Sequence, residues 1–314
     1  MKMNPFLSIV TPTFNEEETI EVCLTSVAKI MEPFLEVIDY EHIIIDNAST
    51  DKTIELALKY SEVDVHVKVA VNDRNIGGSL NIFTGLKLTK GDWVVPMLPA
   101  DLQDPAEVIL EFINQIQPGT NVIFGIRKNR KESFTMKSLR NLYYRLIRRF
   151  SPIDIPLQSG DFCLIRRSVV DSLVGIQDEN PYLRGLIAQL SQSPKYVEYT
   201  WGKRLAGKSK ASPLVLAEVA ISGLVSTTQV PARVALLLGF LVSLGSIVWS
   251  IVQVILVIGF GHNASPGIAT VAVAIFFFGG LQLFFTGLLG EYVLSIHRQV
   301  KKAPAVKTKF ISNM

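Results

Sequence analysis

The sequence predicts an α/β domain built on a mostly parallel sheet, followed by a pair of apolar helices. Short β-branched runs alternate with helical patterns in the first part of the chain, an order typical of parallel sheets with right-handed crossovers. The mean hydropathy of +0.32 is high for a soluble enzyme, and the apolar excess lies after about residue 211. A chain of 314 residues has room for one α/β domain plus a smaller unit.

Strands and helices are predicted in turn along the first part of the chain. The strands are apolar or β-branched runs that end in turn-prone residues, and they lie at 6–10, 41–45, 65–71 and 93–97. Helices are predicted at 17–30 and 49–60, and another begins at Pro105. Because ligands bind such sheets at the carboxyl ends of the strands, we expect the polar residues after each strand to form a site.

Two uncharged segments, 234–261 and 264–290, predict a membrane hairpin. A helix needs roughly 20 apolar residues to cross a bilayer, and both segments exceed this length. The turn between them has no Lys or Arg, whereas basic residues precede the first segment and follow the second. The positive-inside rule therefore places both termini in the cytoplasm. The alternative, a buried hairpin of core helices, needs a large partner to cover helices that are apolar all round.

The sequence therefore predicts four regions. They are a cytosolic α/β domain at 1–210, a juxtamembrane amphipathic helix at 211–232, two transmembrane helices at 233–297 and a cytosolic basic tail at 298–314. Basic and apolar residues also alternate at 136–150. That segment fits a helix lying on anionic headgroups and equally fits an ordinary solvated helix face.

Charge and cysteine content narrow the function classes. A net charge of +3 is too small to indicate nucleic-acid binding, and no base-reading motif accompanies it. Cys23 and Cys163 have no metal-ligand spacing and form no disulfide framework, which fits a reducing compartment. The N-terminus lacks the cleavage pattern of a signal peptide. We expect a membrane partner and no nucleic-acid partner.

The most informative stretch is L-P-A-D-L-Q-D-P, which runs from Leu98 to Pro105 between a predicted strand and a predicted helix. Carboxylates at a strand end can hold a hard divalent cation, which neutralises a diphosphate leaving group. On spacing alone the signal is weak, because an Asp at the start of a helix more often serves as a cap.

Further motifs follow one another along nearly the whole chain. They are S-I-V-T-P-T-F-N-E-E from Ser8, I-D-N-A-S-T-D from Ile45, R-N-I-G-G from Arg74, A-D-L-Q-D-P from Ala100, G-D-F from Gly160, Y-L-R-G-L from Tyr182, R-L-A-G-K-S-K from Arg204 and L-G-E-Y-V from Leu289. Together they resemble the family-two glycosyltransferases of GT-A fold. The resemblance is closer to the polyprenyl-phosphate branch, which includes dolichol-phosphate mannose synthases and bacterial undecaprenyl-phosphate glucosyltransferases.

The resemblance implies inverting transfer of a hexose from a UDP- or GDP-linked donor to undecaprenyl or dolichyl phosphate. It implies donor binding by Pro12, Phe14, Glu16, Asp46, Arg204, Ser209 and Lys210. It implies that Asp101 and Gln103 bind Mg²⁺ or Mn²⁺ and that Asp101 and Asp161 are catalytic. We further expect a homo-oligomer, with a tetramer as one candidate state, in the bacterial inner membrane.

The acceptor phosphate is implied to lie against Arg127 and Arg140. The chemistry supports this independently, because an anionic phosphate needs cations and guanidinium matches its oxygens bidentately. A phosphate oxygen is already a nucleophile, so no strong general base is required. Asp161, the implied base, then orients groups or the metal. The alternative is that Asp161 has a structural role, as a strand-end carboxylate that is hydrogen-bonded by the backbone.

Four positions depart from the family pattern. Pro99 replaces the first Asp of D-x-D, Asn47 and Ala48 replace the second Asp and the Gly of V-D-D-G, and Cys163 replaces the Arg after Asp-Phe. One hypothesis is therefore a degenerate, non-catalytic membrane protein that binds a sugar nucleotide or polyprenyl phosphate. Another, a processive polysaccharide synthase, would carry a Q-x-x-R-W motif and more membrane spans, and the sequence shows neither.

Overall fold

The computed structural model describes residues 6–128, 156, 159–176, 181–202, 268–300 and 308–312, with isolated positions at 239, 241, 244, 245, 248, 252 and 255. The chain divides into two compact units, Met1–Leu216 with Lys302–Met314, and Ala217–Lys301. The amphipathic segments predicted at 136–150 and 211–232 lie outside the described residues. So does nearly all of the first apolar segment.

The first unit is an eight-stranded sheet with flanking helices. Its elements in chain order are β1 (Phe6–Thr13), α1 (Ile20–Met31), a 3₁₀ turn (Glu32–Phe34), β2 (Asp39–Asp46), α2 (Thr53–Ser61), β3 (Val67–Asn72), α3 (Gly78–Leu88), β4 (Trp93–Val95), α4 (Val108–Asn114), β5 (Val122–Lys128), β6 (Ser159–Arg166), α5 (Arg167–Val174), α6 (Leu183–Leu190), β7 (Lys195–Thr200) and β8 (Thr308–Ser312). The strand order is β7-β5-β6-β4-β1-β2-β3-β8. The four strands predicted from the sequence are all present.

Parallel pairing dominates the sheet. β1 pairs in parallel with β2 and β4, β2 with β3, and β5 with β7. β6 is antiparallel to β4 and β5, and β8 is antiparallel to β3. The predicted α/β fold with a mostly parallel sheet is confirmed. Strand β8 was not predicted, because the segment 298–314 was interpreted as a tail.

This topology brings several strand ends to one edge of the sheet, which we name the carboxyl edge. It consists of the carboxyl ends of β1, β2, β3, β4, β5 and β7 and the start of β6. β5 joins it because β6 runs antiparallel to both β4 and β5, so β4 and β5 point the same way.

Three helices begin about three residues later than the sequence predicted, at Ile20, Thr53 and Val108. The first two start late because the loops before them bind each other. The backbone N–H of Glu16 donates to Thr53 Oγ1 at 2.8 Å, and Asn15 Oδ1 accepts from the backbone N–H of Thr50 at 2.9 Å. These residues therefore build the carboxyl edge instead of extending the helices.

The two cysteines lie in the buried interior of this unit. Burial raises the pKa of Cys23 to about 12, and it also raises the pKa of Cys163 above its ordinary value. Because the thiolate is the reactive form, both residues behave as unreactive apolar groups.

His42, in the middle of β2, is fully buried, and its Nε2 lies 2.8 Å from Thr11 Oγ1. Burial lowers its pKa to about 3. Below the ordinary histidine pKa of about 6.5, the unfolded chain gains a proton that the folded chain does not. We therefore expect the free energy of unfolding to fall by roughly 1.4 kcal/mol per pH unit as the pH drops from about 6.5 towards 3.

Thermal unfolding of the full chain at intervals from pH 7 to pH 4 measures this effect. His42→Gln should melt lower at pH 7 but should lose part of the acid dependence. His66→Gln is the control, because it removes a partly exposed imidazole stacked on Tyr40. An acid dependence in His42→Gln as steep as in the unmodified protein would contradict the expectation.

In the second unit, the described residues include the helix α7 (Ile268–Val300), which has 33 residues. Its exposed large apolar side chains include Val271, Ile275, Phe277, Phe278, Leu283, Leu289, Val293 and Ile296. Within the part of the chain that the structure describes, no helix meets the length and apolarity of a membrane span. The hairpin predicted at 233–297 is therefore not confirmed.

Candidate active site

The carboxyl edge carries most of the residues that the sequence singled out. Those within the described residues are Pro12, Phe14, Glu16, Asp46, Asp101, Gln103, Arg127 and Asp161. Arg140, Arg204, Ser209 and Lys210 lie outside the described residues. The ends of β1 and β2, the loops after β1 and β4, the end of β5 and the start of β6 supply the described set, so one edge gathers groups from across the sequence.

Asp46, the last residue of β2, fixes the turns at this edge. Its side chain is buried, and Oδ2 accepts from the hydroxyls of Thr13 at 2.9 Å and Ser49 at 2.6 Å. Oδ1 accepts from the backbone N–H of Ser49 at 2.7 Å. The carboxylate thus ties the end of β1 to the loop after β2. Its nucleoside contact stays a prediction, as do those of the half-buried residues Pro12, Phe14 and Glu16.

Asn47 explains one departure from the family pattern. Its Nδ2 donates to Asn75 Oδ1 at 2.9 Å, and its Oδ1 accepts from the backbone N–H of Ile76 at 2.9 Å. Asn75 Oδ1 also accepts from the backbone N–H of Gly77 at 2.9 Å. An ionised carboxylate offers only acceptors, so an Asp at position 47 could not donate to Asn75. The amide therefore fits the hydrogen bonds of the loop that leads into α3.

Backbone strain is concentrated at the carboxyl edge. Asn15, Ala48 and Leu102 adopt left-handed conformations with φ of 56°, 61° and 49°, and they lie in the loops after β1, β2 and β4. For most L-residues this conformation costs roughly 1–2 kcal/mol. Such strain tends to cluster where function fixes the backbone. It also explains the family's Gly at position 48, since glycine adopts this conformation freely.

Asp101 and Gln103 follow β4 in a tight loop. Asp101 is 8% exposed, and its Oδ1 accepts from the backbone N–H of Gln103 at 3.1 Å. Among the described residues, no group of three or more His, Cys, Asp or Glu side chains could hold a metal by itself. One carboxylate and one amide oxygen nevertheless suit a hard cation that takes its other ligands from substrate phosphates and water. The pair therefore fits the predicted ion.

Asp104, the next carboxylate along, pairs with Arg127 at the end of β5. Arg127 Nε and Nη2 donate to Asp104 Oδ1 and Oδ2 at 2.9 and 2.6 Å. The Tyr199 hydroxyl at the end of β7 donates to Asp104 Oδ1 at 2.5 Å, and Arg127 Nε lies 3.3 Å from the same hydroxyl. The Asp104 side chain is 1% exposed and that of Arg127 15%. We name these three residues the Arg127 cluster.

The Arg127 cluster shifts the pKa values of its members. Burial alone would lower the pKa of Arg127, but the hydrogen bonds and charge of Asp104 raise it above its ordinary value. Burial, with the charge of Asp104, raises the pKa of Tyr199 as well. At neutral pH the cluster therefore holds a guanidinium and a neutral phenol.

Two neighbours enclose the Arg127 guanidinium. A Cβ atom at Gly160 would lie 2.7 Å from its Nη2, so the absence of a side chain there makes room for it. The Trp201 ring centroid lies 5.3 Å from its Cζ, within the range of a cation–π contact.

The backbone N–H of Gly202 donates to the carbonyl of Gln103 at 2.8 Å. The end of β7 is thereby joined to the loop that carries Asp101 and Gln103.

Asp161, next to Gly160, has a cationic neighbour. Its Oδ1 lies 3.9 Å from Arg184 Nε on α6, and the two side chains are 34% and 19% exposed. Sequence reasoning quoted Arg184 within a motif but gave it no role. It also missed Asp104, whose signal was its place beside the Asp101–Gln103 motif. Nothing in the local pattern indicated Tyr199.

These features define an α/β sheet domain whose carboxyl edge brings carboxylates and guanidinium groups together in one site, as expected for a transferase. The profile of Glycosyl transferase family 2 matches residues 8–174, more than half of the chain. The chain belongs to glycosyl transferase family 2, so the resemblance found in its motifs is confirmed. It is a glycosyltransferase with the α/β architecture expected of a GT-A domain.

Several relatives are similar over nearly the whole chain. A bactoprenol glucosyl transferase of Shigella phage SfII is 32% identical over 299 residues, which cover 95% of this chain and 96% of the relative. An uncharacterized glycosyltransferase of Bacillus subtilis, YkcC, is 31% identical over 298 residues, with 95% and 91% covered. Among solved structures, glucosyl-3-phosphoglycerate synthase of Mycobacterium tuberculosis is 20% identical over 71% of this chain and 79% of its own, with a TM-score of 0.47.

Proposed function

We propose that the protein transfers a hexose from a UDP- or GDP-linked donor to a polyprenyl phosphate, undecaprenyl or dolichyl, with inversion. The main support for this proposal is the length of chain over which the relatives are similar. Relatives named bactoprenol glucosyl transferase match 95% of the chain, far beyond the family domain that ends at residue 174. The family domain alone is compatible with many acceptors, whereas similarity that continues through the apolar C-terminal part supports a lipid acceptor.

In the proposed reaction, an oxygen of the acceptor phosphate forms a bond to the anomeric carbon of the donor sugar. The bond from that carbon to the diphosphate oxygen breaks, and the nucleoside diphosphate leaves with the electron pair. A single displacement inverts the anomeric carbon. Because the phosphate oxygen is already a nucleophile, Asp161 is proposed to orient the acceptor rather than to remove a proton. Arg184 would hold Asp161 in place through its charge.

The remaining roles are proposed residue by residue. The donor would be held by Pro12, Phe14, Glu16 and Asp46 and by Arg204, Ser209 and Lys210. The acceptor phosphate would lie against Arg127 and Arg140. Asp101 and Gln103 would hold Mg²⁺ or Mn²⁺, which when bound neutralises charge on the leaving diphosphate.

We also propose that the protein works at the cytoplasmic side of a bacterial membrane, with both termini in the cytoplasm, as a homo-oligomer. The exposed apolar side chains along α7 support membrane association. The distribution of Lys and Arg around the apolar segments supports the orientation. A polyprenyl phosphate would present its headgroup at that same surface.

Transfer from radiolabelled UDP-glucose and GDP-mannose to undecaprenyl phosphate, with the full chain in detergent or vesicles, tests the function. We expect a labelled product that extracts into organic solvent and carries the sugar with an inverted anomeric configuration. Undecaprenol, which lacks the phosphate, is the matched control acceptor and should give no product. Donor or lipid binding without any transfer would support the degenerate, non-catalytic alternative instead.

A further inference from the structure

Arg127 is held in one orientation before any acceptor arrives. Its ion pair with Asp104 uses the Nε and Nη2 groups. Guanidinium is planar and carries five N–H donors in a fixed fork, so the Nη1 group lies on the side away from Asp104. Within the part of the chain that the structure describes, the cluster's hydrogen bonds use Nε and Nη2, and the Nη1 edge faces away from them, where another anion could bind.

The surroundings restrict the guanidinium further. A Cβ at Gly160 would lie 2.7 Å from Nη2, 2.8 Å from Cζ and 3.1 Å from Nε, so the planar guanidinium group lies against the backbone just before Asp161. Trp201 lies against the same group. Contacts with β6, β7 and the loop after β4 thus fix Arg127 between the candidate metal loop and Asp161.

Stability alone is a weak reason for such a pair. Desolvating two charges costs free energy, and the attraction between them often only offsets that cost. Proteins in which apolar residues replace a buried ion pair are frequently as stable as the original protein. A carboxylate that accepts two hydrogen bonds from the guanidinium and a third from a phenol does, however, fix the direction of the guanidinium. The arrangement is therefore better suited to aiming a cation than to stabilising the fold.

We propose that Asp104 and Tyr199 are positioning residues that hold Arg127 with its Nη1 edge towards the acceptor phosphate. The inference rests on the proposed function, in which Arg127 contacts that phosphate. A guanidinium already fixed by two hydrogen bonds loses less conformational entropy when a phosphate binds. Its contact therefore contributes more to the free energy of acceptor binding. Loss of the positioning contacts should weaken acceptor binding while the donor site, built on β1 and β2, is unaffected.

Two variants disturb the orientation of Arg127 without removing its charge. Tyr199→Phe keeps the buried ring but removes the hydroxyl that donates to Asp104. Gly160→Ala places a methyl group against the guanidinium, the flexible end of a side chain, which can move aside. In Gly175→Ala, the matched control, the new methyl group lies 3.5 Å from the Ser172 carbonyl oxygen, an ordinary contact at the end of α5.

Initial rates of the full chain, with each substrate varied in turn, give the KM for undecaprenyl phosphate and the KM for the sugar nucleotide. We expect Tyr199→Phe to raise the acceptor KM by about three- to tenfold, the effect of one hydrogen bond. Gly160→Ala should raise it by at least as much. The donor KM should stay within about twofold in both variants, and Gly175→Ala should match the unmodified protein.

Calorimetric titration with a short, water-soluble isoprenyl phosphate measures acceptor binding without turnover. If the unmodified chain binds this probe but transfers no sugar, the proposed function fails, and weaker binding by Tyr199→Phe would still support the positioning role. An unchanged acceptor KM and unchanged probe binding, with only a lower melting temperature, would overturn it. The positioning role would also be overturned if the donor KM rose as much as the acceptor KM in Tyr199→Phe, or if the unmodified chain did not bind the probe.

Discussion

Asp101→Ala is expected to lower kcat by about 100-fold or more, since it removes the only carboxylate that the A-D-L-Q segment offers to a divalent ion. A hard cation beside a diphosphate can keep several waters and use one or two protein carboxylates. Asp101 with Gln103 therefore suffices, although Pro99 stands where the family has another Asp. We expect Pro99→Asp to lower the metal concentration needed for half-maximal activity with little change in kcat.

Titration of Mg²⁺ and Mn²⁺ against activity, after treatment with EDTA, measures both effects. Asp171→Ala is the control, because it removes a carboxylate that is 66% exposed on α5. Full activity in chelator, unchanged in Asp101→Ala, would exclude the metal-dependent mechanism. The diphosphate would then have to be held by the cations Arg204, Lys208 and Lys210 alone.

The central part of the carboxyl edge could be predicted from sequence because its signals are local. A β-branched run followed by polar, turn-prone residues marks the end of a parallel strand, and Asp46 and Asp101 both follow such runs. Ala48 shows the limit of this reasoning. Its replacement of a family Gly was visible in the sequence, but its left-handed φ of 61° was not.

The partners of Arg127 could not be predicted, because they depend on pairing between distant segments. A free arginine and an ion-paired arginine look alike in sequence. The Tyr199 hydroxyl reaches Asp104 across 95 positions of sequence, through the parallel pairing of β5 with β7. Strand β8 could not be predicted for the same reason, because it forms by pairing with the distant strand β3. Its Ser312 hydroxyl lies 2.9 Å from that of Ser61. Hydrophobic periodicity describes one segment and carries no information on its partner.

Gly91, just before β4, should tolerate no side chain. A Cβ there would lie 2.6 Å from the backbone nitrogen of Ser8, 2.7 Å from Ser8 Oγ and 2.8 Å from the carbonyl oxygen of Phe6. Two of these atoms belong to the backbone of β1 and cannot rotate away. The Gly91 N–H also donates to Ser8 Oγ at 2.8 Å, and its carbonyl accepts from Arg167 Nη2 at 2.6 Å. Any displacement would therefore break contacts on both sides.

We expect Gly91→Ala to destabilise the first unit by about 3 kcal/mol or more, the upper range for an added methyl group in a packed interior. For a unit of this size, that corresponds to a fall in melting temperature of roughly 6–12 °C. The measurement is thermal unfolding of the full chain, with Gly175→Ala as the neutral glycine-to-alanine control. Because β1 also carries Pro12 near its other end and leads into Phe14, acceptor and donor KM values should both rise in Gly91→Ala, unlike the selective change expected for Tyr199→Phe. A melting temperature within about 2 °C of the unmodified protein would show that β1 and β4 can separate without cost, and the close packing at Gly91 would then not hold the sheet together.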